Sequence, residues 1–313
     1  MIFKFEPIYL PRIWGGNQFH SILKRNINLE GKIGESWEIV DREDQQSVFS
    51  NSIFKGITIR DALKEEGSMI MGTNWKKNKK FPILVKWLDC TETLSLQVHP
   101  PRSIAKRFCG EPKTENWFIA HANPEASLYI GLKKGTTRSD FMEALKNNVL
   151  EPLCHKVPSH RGDSILVESG RIHAIGGGNL ILEIQQNSDT TYRVYDWGRK
   201  GLGGKERELH IPESMASINF HDFEPSPVKN SHSECEIIAE CAHFRIRKFK
   251  FKSSFSLKLT KANEACLILH TLNCAIEAGG EIIEPYSQCI SPYSDECVIE
   301  SKEASEFLVT DRF

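Results

Sequence analysis

Residues 169–199 read SGRIHAIGGGNLILEIQQNSDTTYRVYDWGR. Three runs in them, IHAIG, NLILEIQ and TYRVYDW, have the aliphatic, β-branched and aromatic content of strands, separated by clusters of glycine, serine, asparagine and aspartate. A strand wall of this kind ordinarily turns neutral side chains inward, yet these runs carry His173, Glu183 and Arg193. Charged groups spaced along such strands predict a sheet interior that serves as a site as well as a core. The glycines from Gly176 to Gly178 lack the G-x-G-x-x-G spacing and lead into another β run, so they read as a turn, not as a nucleotide loop.

Working outward, the same character begins at Phe81 and continues through FPILVKWLD, LSLQVH, ENWFIAHA, SLYIGL and DSILVES, which predicts a β-sandwich or barrel. One helix interrupts it, DFMEALKNN, with Ser139 as its expected N-cap and Phe141, Met142 and Leu145 on one face. The first 80 residues read as a peripheral layer of turns with helical stretches around Asn17 to Arg25 and Thr58 to Glu66. Residues 222–234, FEPSPVKNSHSEC, read as a linker. Beyond them a smaller β unit is expected, with FRIRKFKF as an edge strand guarded by cations. Two domains follow from this reading, residues 1–230 and 231–313.

Forty basic residues balance 41 acidic ones, which leaves no electrostatic footprint for nucleic acid or an anionic membrane surface. Without an early apolar run or a stretch of ~20 apolar residues, the chain is expected to be soluble and cytoplasmic. Nine cysteines without a C-x-x-C pair suit reduced thiols. The lysine run KKNKK at 76–80 reads as solvated surface.

Gln97 and His99 lie two apart in LSLQVHP, so both point to one face of a strand. Lys113 and Glu115 repeat that spacing in PKTENWF, and His173 follows the turn at Ser169 and Gly170. Two histidines, a carboxylate and an amide oxygen suit a divalent transition ion. Spacing alone equally allows hydrogen-bonded structural histidines. Glu183, ten residues after His173, is placed to orient a ligand, relay a proton or pair with Arg193.

Together, FPILVKWLD, LSLQVHP, PKTENWF and HAIGGGNLILEIQQNSDTTYRVYDWGR, with RIWGG and GESWEI near the start, resemble type I mannose-6-phosphate isomerases in their short bacterial form. The resemblance implies a mainly β, double-cupin fold of jelly-roll barrels with a peripheral helical elaboration: a catalytic cupin domain over 1–230 and a smaller cupin-like domain over 231–313. It implies one zinc ion on Gln97, His99, Glu115 and His173. It implies catalytic roles for Arg193, Lys86 and Lys113, and a substrate pocket that includes Ser95, at the phosphate end, and Lys113, which Glu183 would join. The expected reaction interconverts mannose-6-phosphate and fructose-6-phosphate through an enediol, in a monomer or homodimer whose partner is a small sugar phosphate. Pro101, Arg102 and Asn116 depart from the family pattern beside the ligands; they are the motive for one alternative, a cupin that binds sugar phosphates without turnover. An iron-dependent cupin oxygenase would use similar ligands but gives no reason for Arg193 and the two lysines.

Overall fold

The computed structural model describes residues 1–261 and 265–313. The chain divides into two compact units, one of Tyr9–Ser36 and Trp87–Lys229, the other of Met1–Ile8, Trp37–Lys86 and Asn230–Phe313. The sequence reading cuts the chain once, at 230; the division also falls at 8/9, 36/37 and 86/87, where the strands Ile33–Ile39 and Ile83–Cys90 run across it.

In the first unit a six-stranded sheet is ordered Ile8–Gly16, Ile33–Ile39, Ile83–Cys90, Asn179–Gln186, Glu115–Ala122, Ser164–Val167. A five-stranded sheet is ordered Tyr192–Tyr195, Leu96–Val98, His173–Ile175, Ser127–Leu132, Cys154–Pro158. Alternation along each strand sorts the side chains between two faces. Trp117, Ile119, Ile165, Val167 and Ile181 of the larger sheet pack with Leu128, Ile130 and Ile175 of the smaller one to form the core between them. The other face of the smaller sheet presents Leu96, Val98, Ala174, Tyr192 and Val194, which are buried with Phe141 of the helix Arg138–Lys146 and Met215 of the helix Ile211–Ser217. By parity, His173, Gln97 and Arg193 therefore face the intersheet core.

The second unit repeats the two-sheet plan. Its larger sheet runs Phe3–Lys4, Gln288–Ser291, Leu267–Thr271, Ser305–Asp311, Arg245–Phe251, Cys235–Glu240. Its smaller sheet runs Phe255–Leu259, Cys297–Ser301, Ile276–Ala278, Glu281–Ile283. Phe249, Leu259, Leu267, Leu269, Ile299, Phe307 and Val309 fill its core.

The β runs expected from Phe81 onward are present as strands, and the mainly β class with helical additions holds. Four readings change. Residues 8–16 and 33–39 are sheet strands, not a peripheral layer of turns and helices; Ile8–Gly16 is the edge strand, the place in a sheet where Pro11 is tolerated because it has no N–H to donate. Thr137, not Ser139, caps the helix Arg138–Lys146, in a reciprocal capping box with Asp140. Arg245–Phe251 lies inside its sheet, and Arg245 and Arg247 both pair with buried Asp311 of the adjacent strand, so its cations satisfy a neighbour and do not guard an edge. Residues 222–229 are held as well as linking: Asp222 and Glu224 exchange backbone bonds with Leu132, and Val228 with Ser164. Among the described residues no helix is long and apolar enough to cross a membrane.

Candidate metal centre

Three strands bring the ligand candidates together. Gln97 is registered opposite His173 on one side and Arg193 on the other, and directly opposite residues in an antiparallel pair share a face. His173, Gln97 and Arg193 thus form one row across the smaller sheet, its ends two strand spacings, about 10 Å, apart at the backbone. Across the core, Glu115 is flanked by Val167 and Gln185 in the larger sheet. His99 follows the Leu96–Val98 strand.

His99, Glu115 and His173 are fully buried, and one donor atom from each lies within 4.8 Å of the others. His99 Nε2 is 3.2 Å from Glu115 Oε2, and His173 Nε2 is 3.6 Å from Oε1. The Nδ1 atoms are committed elsewhere, 2.9 Å from the carbonyl of Thr190 for His99 and 2.9 Å from that of Arg171 for His173. A ring whose Nδ1–H donates to a carbonyl holds its Nε2 lone pair ready for a cation. Both Nε2 atoms and both Glu115 oxygens are buried without a properly formed hydrogen bond, an arrangement that is costly unless something else meets them. Burial, with His99 beside it, lowers the His173 pKa to about 3, and burial with Lys113 nearby lowers that of His99, so both rings are neutral, the form that ligates. Burial opposes ionisation of Glu115, but the Lys113 ammonium outweighs it and holds the carboxyl well below its ordinary range. A neutral-His, neutral-His, carboxylate set of this kind fits a divalent metal ion.

Lys113 sets its ammonium 2.7 Å from Glu115 Oε2 and 4.0 Å from Glu183 Oε1. These carboxylates overcome the effect of burial and raise its pKa. Glu183 also accepts from Trp117 Nε1 at 3.2 Å, and the Trp117 ring meets His173 edge-on at 5.3 Å. Arg193 is half-buried; its Nη1 donates to the Glu208 carbonyl at 2.7 Å, while its Nε is buried without a partner. Ser95 is buried immediately before the Leu96–Val98 strand, and Gln97 is half-buried on it. Lys86 is buried in the second unit, its ammonium 4.6 Å over the Trp37 ring.

Asn116 points to the face opposite Glu115 and accepts from Ser164 Oγ at 3.0 Å, so this departure from the family pattern does not touch the ligands. Arg102 is exposed at the start of a short helix. Trp117 was legible as a strand residue but not as a neighbour of His173 and Glu183. The Thr190 and Arg171 carbonyls leave no mark in the sequence, since every residue has one.

The family model for the phosphomannose isomerase type I catalytic domain matches residues 2–111. Mannose-6-phosphate isomerase ManA of Bacillus subtilis is 35% identical over 268 residues, covering 82% of each chain. The mannose-6-phosphate isomerase of Streptococcus mutans is 33% identical over 264 residues, again 82% of each. The crystal structure of the mannose 6-phosphate isomerase from Bacillus subtilis superposes with a TM-score of 0.86 at 24% identity over 99% of both chains, so the two share one fold.

Proposed function

Because the chain belongs to the type I phosphomannose isomerase family, we propose that it interconverts mannose-6-phosphate and fructose-6-phosphate, with zinc as its metal. The observation that carries this reading is the buried His99, Glu115 and His173 cluster, whose ligand atoms lie within 4.8 Å of one another, with both Nε2 atoms unsatisfied. The Gln97 amide oxygen, on the same face as His173, is the fourth ligand we assign. Zinc suits an open site of nitrogen and oxygen donors. When bound, it supplies Lewis-acid polarisation of the carbonyl and hydroxyl oxygens on adjacent sugar carbons.

The protein's own groups do the rest. Moving the carbonyl from one carbon to its neighbour takes a proton from the second carbon and returns it to the first through an enediol. Arg193 stays cationic and stabilises the negative charge that develops on the enediol oxygens. Lys113 and Lys86 are the candidates to carry the carbon-bound proton. Glu115 and Glu183 hold Lys113 protonated. A metal held by Glu115 would weaken that pairing and supply a positive charge that favours the neutral amine of Lys113. Glu183, with Trp117 and Lys113 at its two oxygens, relays protons between substrate oxygens. Ser95 takes the phosphate, whose binding energy orients the reacting carbons. Nine free thiols suit a cytoplasmic setting.

The test is isomerisation of mannose-6-phosphate by the purified protein as prepared, after chelation and after zinc return. Activity that is lost and then restored supports both the reaction and the metal. A folded, zinc-loaded protein that leaves mannose-6-phosphate unchanged overturns the assignment.

A further inference from the structure

Asp196 follows the Tyr192–Tyr195 strand and is 6% exposed. Its Oδ2 accepts from Arg207 Nε at 2.7 Å, and its Oδ1 accepts from Arg207 Nη2 at 2.5 Å and from Arg199 Nη2 at 2.7 Å. A two-pronged guanidinium–carboxylate contact fixes direction as well as distance. Arg207 immediately precedes Glu208, whose carbonyl takes Arg193 Nη1 at 2.7 Å. Two residues further, His210 Nδ1 accepts from the Arg193 N–H at 3.1 Å, and the His210 N–H donates to the Arg193 carbonyl at 2.8 Å. On its other side Arg193 is registered against Gln97.

The turn that returns the chain from Asp196 to Glu208 cannot hold this geometry by itself. It contains Gly198, Gly201, Gly203 and Gly204, two of them at φ +66° and +75°, and Leu202 at its tip is 71% exposed. Glycine-rich, exposed backbone is cheap to disorder. The Asp196 to Arg207 contact anchors the returning limb, with a short Lys200 to Glu206 bridge between. Electrostatics point the same way. Burial and the neighbouring Arg207 and Arg199 disfavour the charged form of Arg193, and Asp196 opposes them in part. Without that carboxylate three guanidiniums would share one corner of the unit and spread apart.

We propose that Asp196 is a positioning residue for Arg193, acting through Arg207 on the limb that carries Glu208 and His210. The inference rests on the reading that Arg193 meets the substrate. Its experiment compares zinc-loaded wild type with Asp196→Asn, Arg207→Gln, the double variant and Arg207→Lys, reading kcat, KM, bound zinc and hydrogen exchange at the His210 amide. Both single variants are expected to lose kcat about 10- to 100-fold, the scale of a small misplacement of a reacting group, with zinc content unchanged and the His210 amide deprotected. The double variant should lose no more than the worse single, and Arg207→Lys should recover part of the loss. Unchanged kcat and His210 protection in both single variants, or losses that add in the double variant, would overturn it. Should Asp196→Asn not fold, Arg207→Gln, on the exposed turn, carries the same test. If wild type proves inactive on mannose-6-phosphate, the proposed function fails, and the His210 amide alone decides the clasp: deprotection in Asp196→Asn supports it and full protection ends it.

Discussion

Both units bury histidines on or beside strands, and the two settings differ in one respect that matters. In the second unit His270 is fully buried, yet its Nδ1 meets Gln288 Oε1 at 2.5 Å and its Nε2 meets Thr310 Oγ1 at 2.8 Å. In the first unit His99 and His173 are equally buried, but each satisfies only Nδ1 and leaves Nε2 turned toward the Glu115 carboxylate, 3.2 and 3.6 Å away. A buried polar atom without a partner costs free energy, so His270 closes a structural network whereas the His99 cluster presents donor atoms that can hold a cation. The bland and the functional reading of a strand histidine thus occur in the same chain, and the second nitrogen tells them apart.

The largest effect that could break this contrast comes from His99→Gln or His173→Gln. Each is expected to lose bound zinc and about 1000-fold in turnover, several kcal/mol of transition-state stabilisation, while His270→Gln keeps both; elemental analysis beside kinetics decides. Zinc retained in full by the first two variants would remove the distinction.

Next is pH. Burial lowers the His270 pKa to about 4, against an unfolded value near ~6.5. Below the higher value the unfolded chain gains a proton that the folded unit refuses until the lower one, so stability falls as pH drops through that window, by on the order of 3 kcal/mol. Denaturant unfolding at pH 7.5 and pH 4 should show a steeper loss in wild type than in His270→Gln, and parallel losses would show that His270 is not the titrating group.

Thr310→Val tests the satisfied nitrogen directly. It strands His270 Nε2 and is expected to cost about 1–3 kcal/mol with zinc content unchanged. The smallest change expected is in Asn116→Ala, about 1 kcal/mol of stability for the lost Ser164 contact, with zinc affinity as in wild type. A weakened metal site in that variant would mean that the two faces of the Glu115–Ala122 strand are not independent.

Much of the site was legible before the fold. Period-two spacing put Gln97 with His99 and Lys113 with Glu115 and the residues themselves offered His173, and the structure gathers His99, Glu115 and His173 with Lys113 beside them; the roles of Arg193 and Lys86 come from the motif resemblance and stand as proposals. The failures came where local signals compete with sheet position. Residues 8–16, read with the rest of the first 80 as a peripheral layer, form a strand that holds Pro11 because it lies at an edge, and an edge is a property of the whole sheet. FRIRKFKF read as an exposed edge because its cations alternate, and partners on the two adjacent strands, Asp311 for Arg245 and Arg247 and Glu236 for Lys248, explain them inside a sheet. Ser139 and Thr137 are both acceptable caps by type; the reciprocal bond with Asp140 chose the earlier one.

By itself the sequence determined which side chains share a face, since that follows from a strand's fixed alternation, and so it determined the candidates for an inward site. Which of those candidates meet, and which of their atoms remain unpaired, was decided only by tertiary structure: His99 takes its Nδ1 partner from Thr190, 91 residues away, and Glu115 reaches His173 across a core between two sheets. A residue's chemistry is local, but its satisfaction depends on neighbours that only the packed chain supplies.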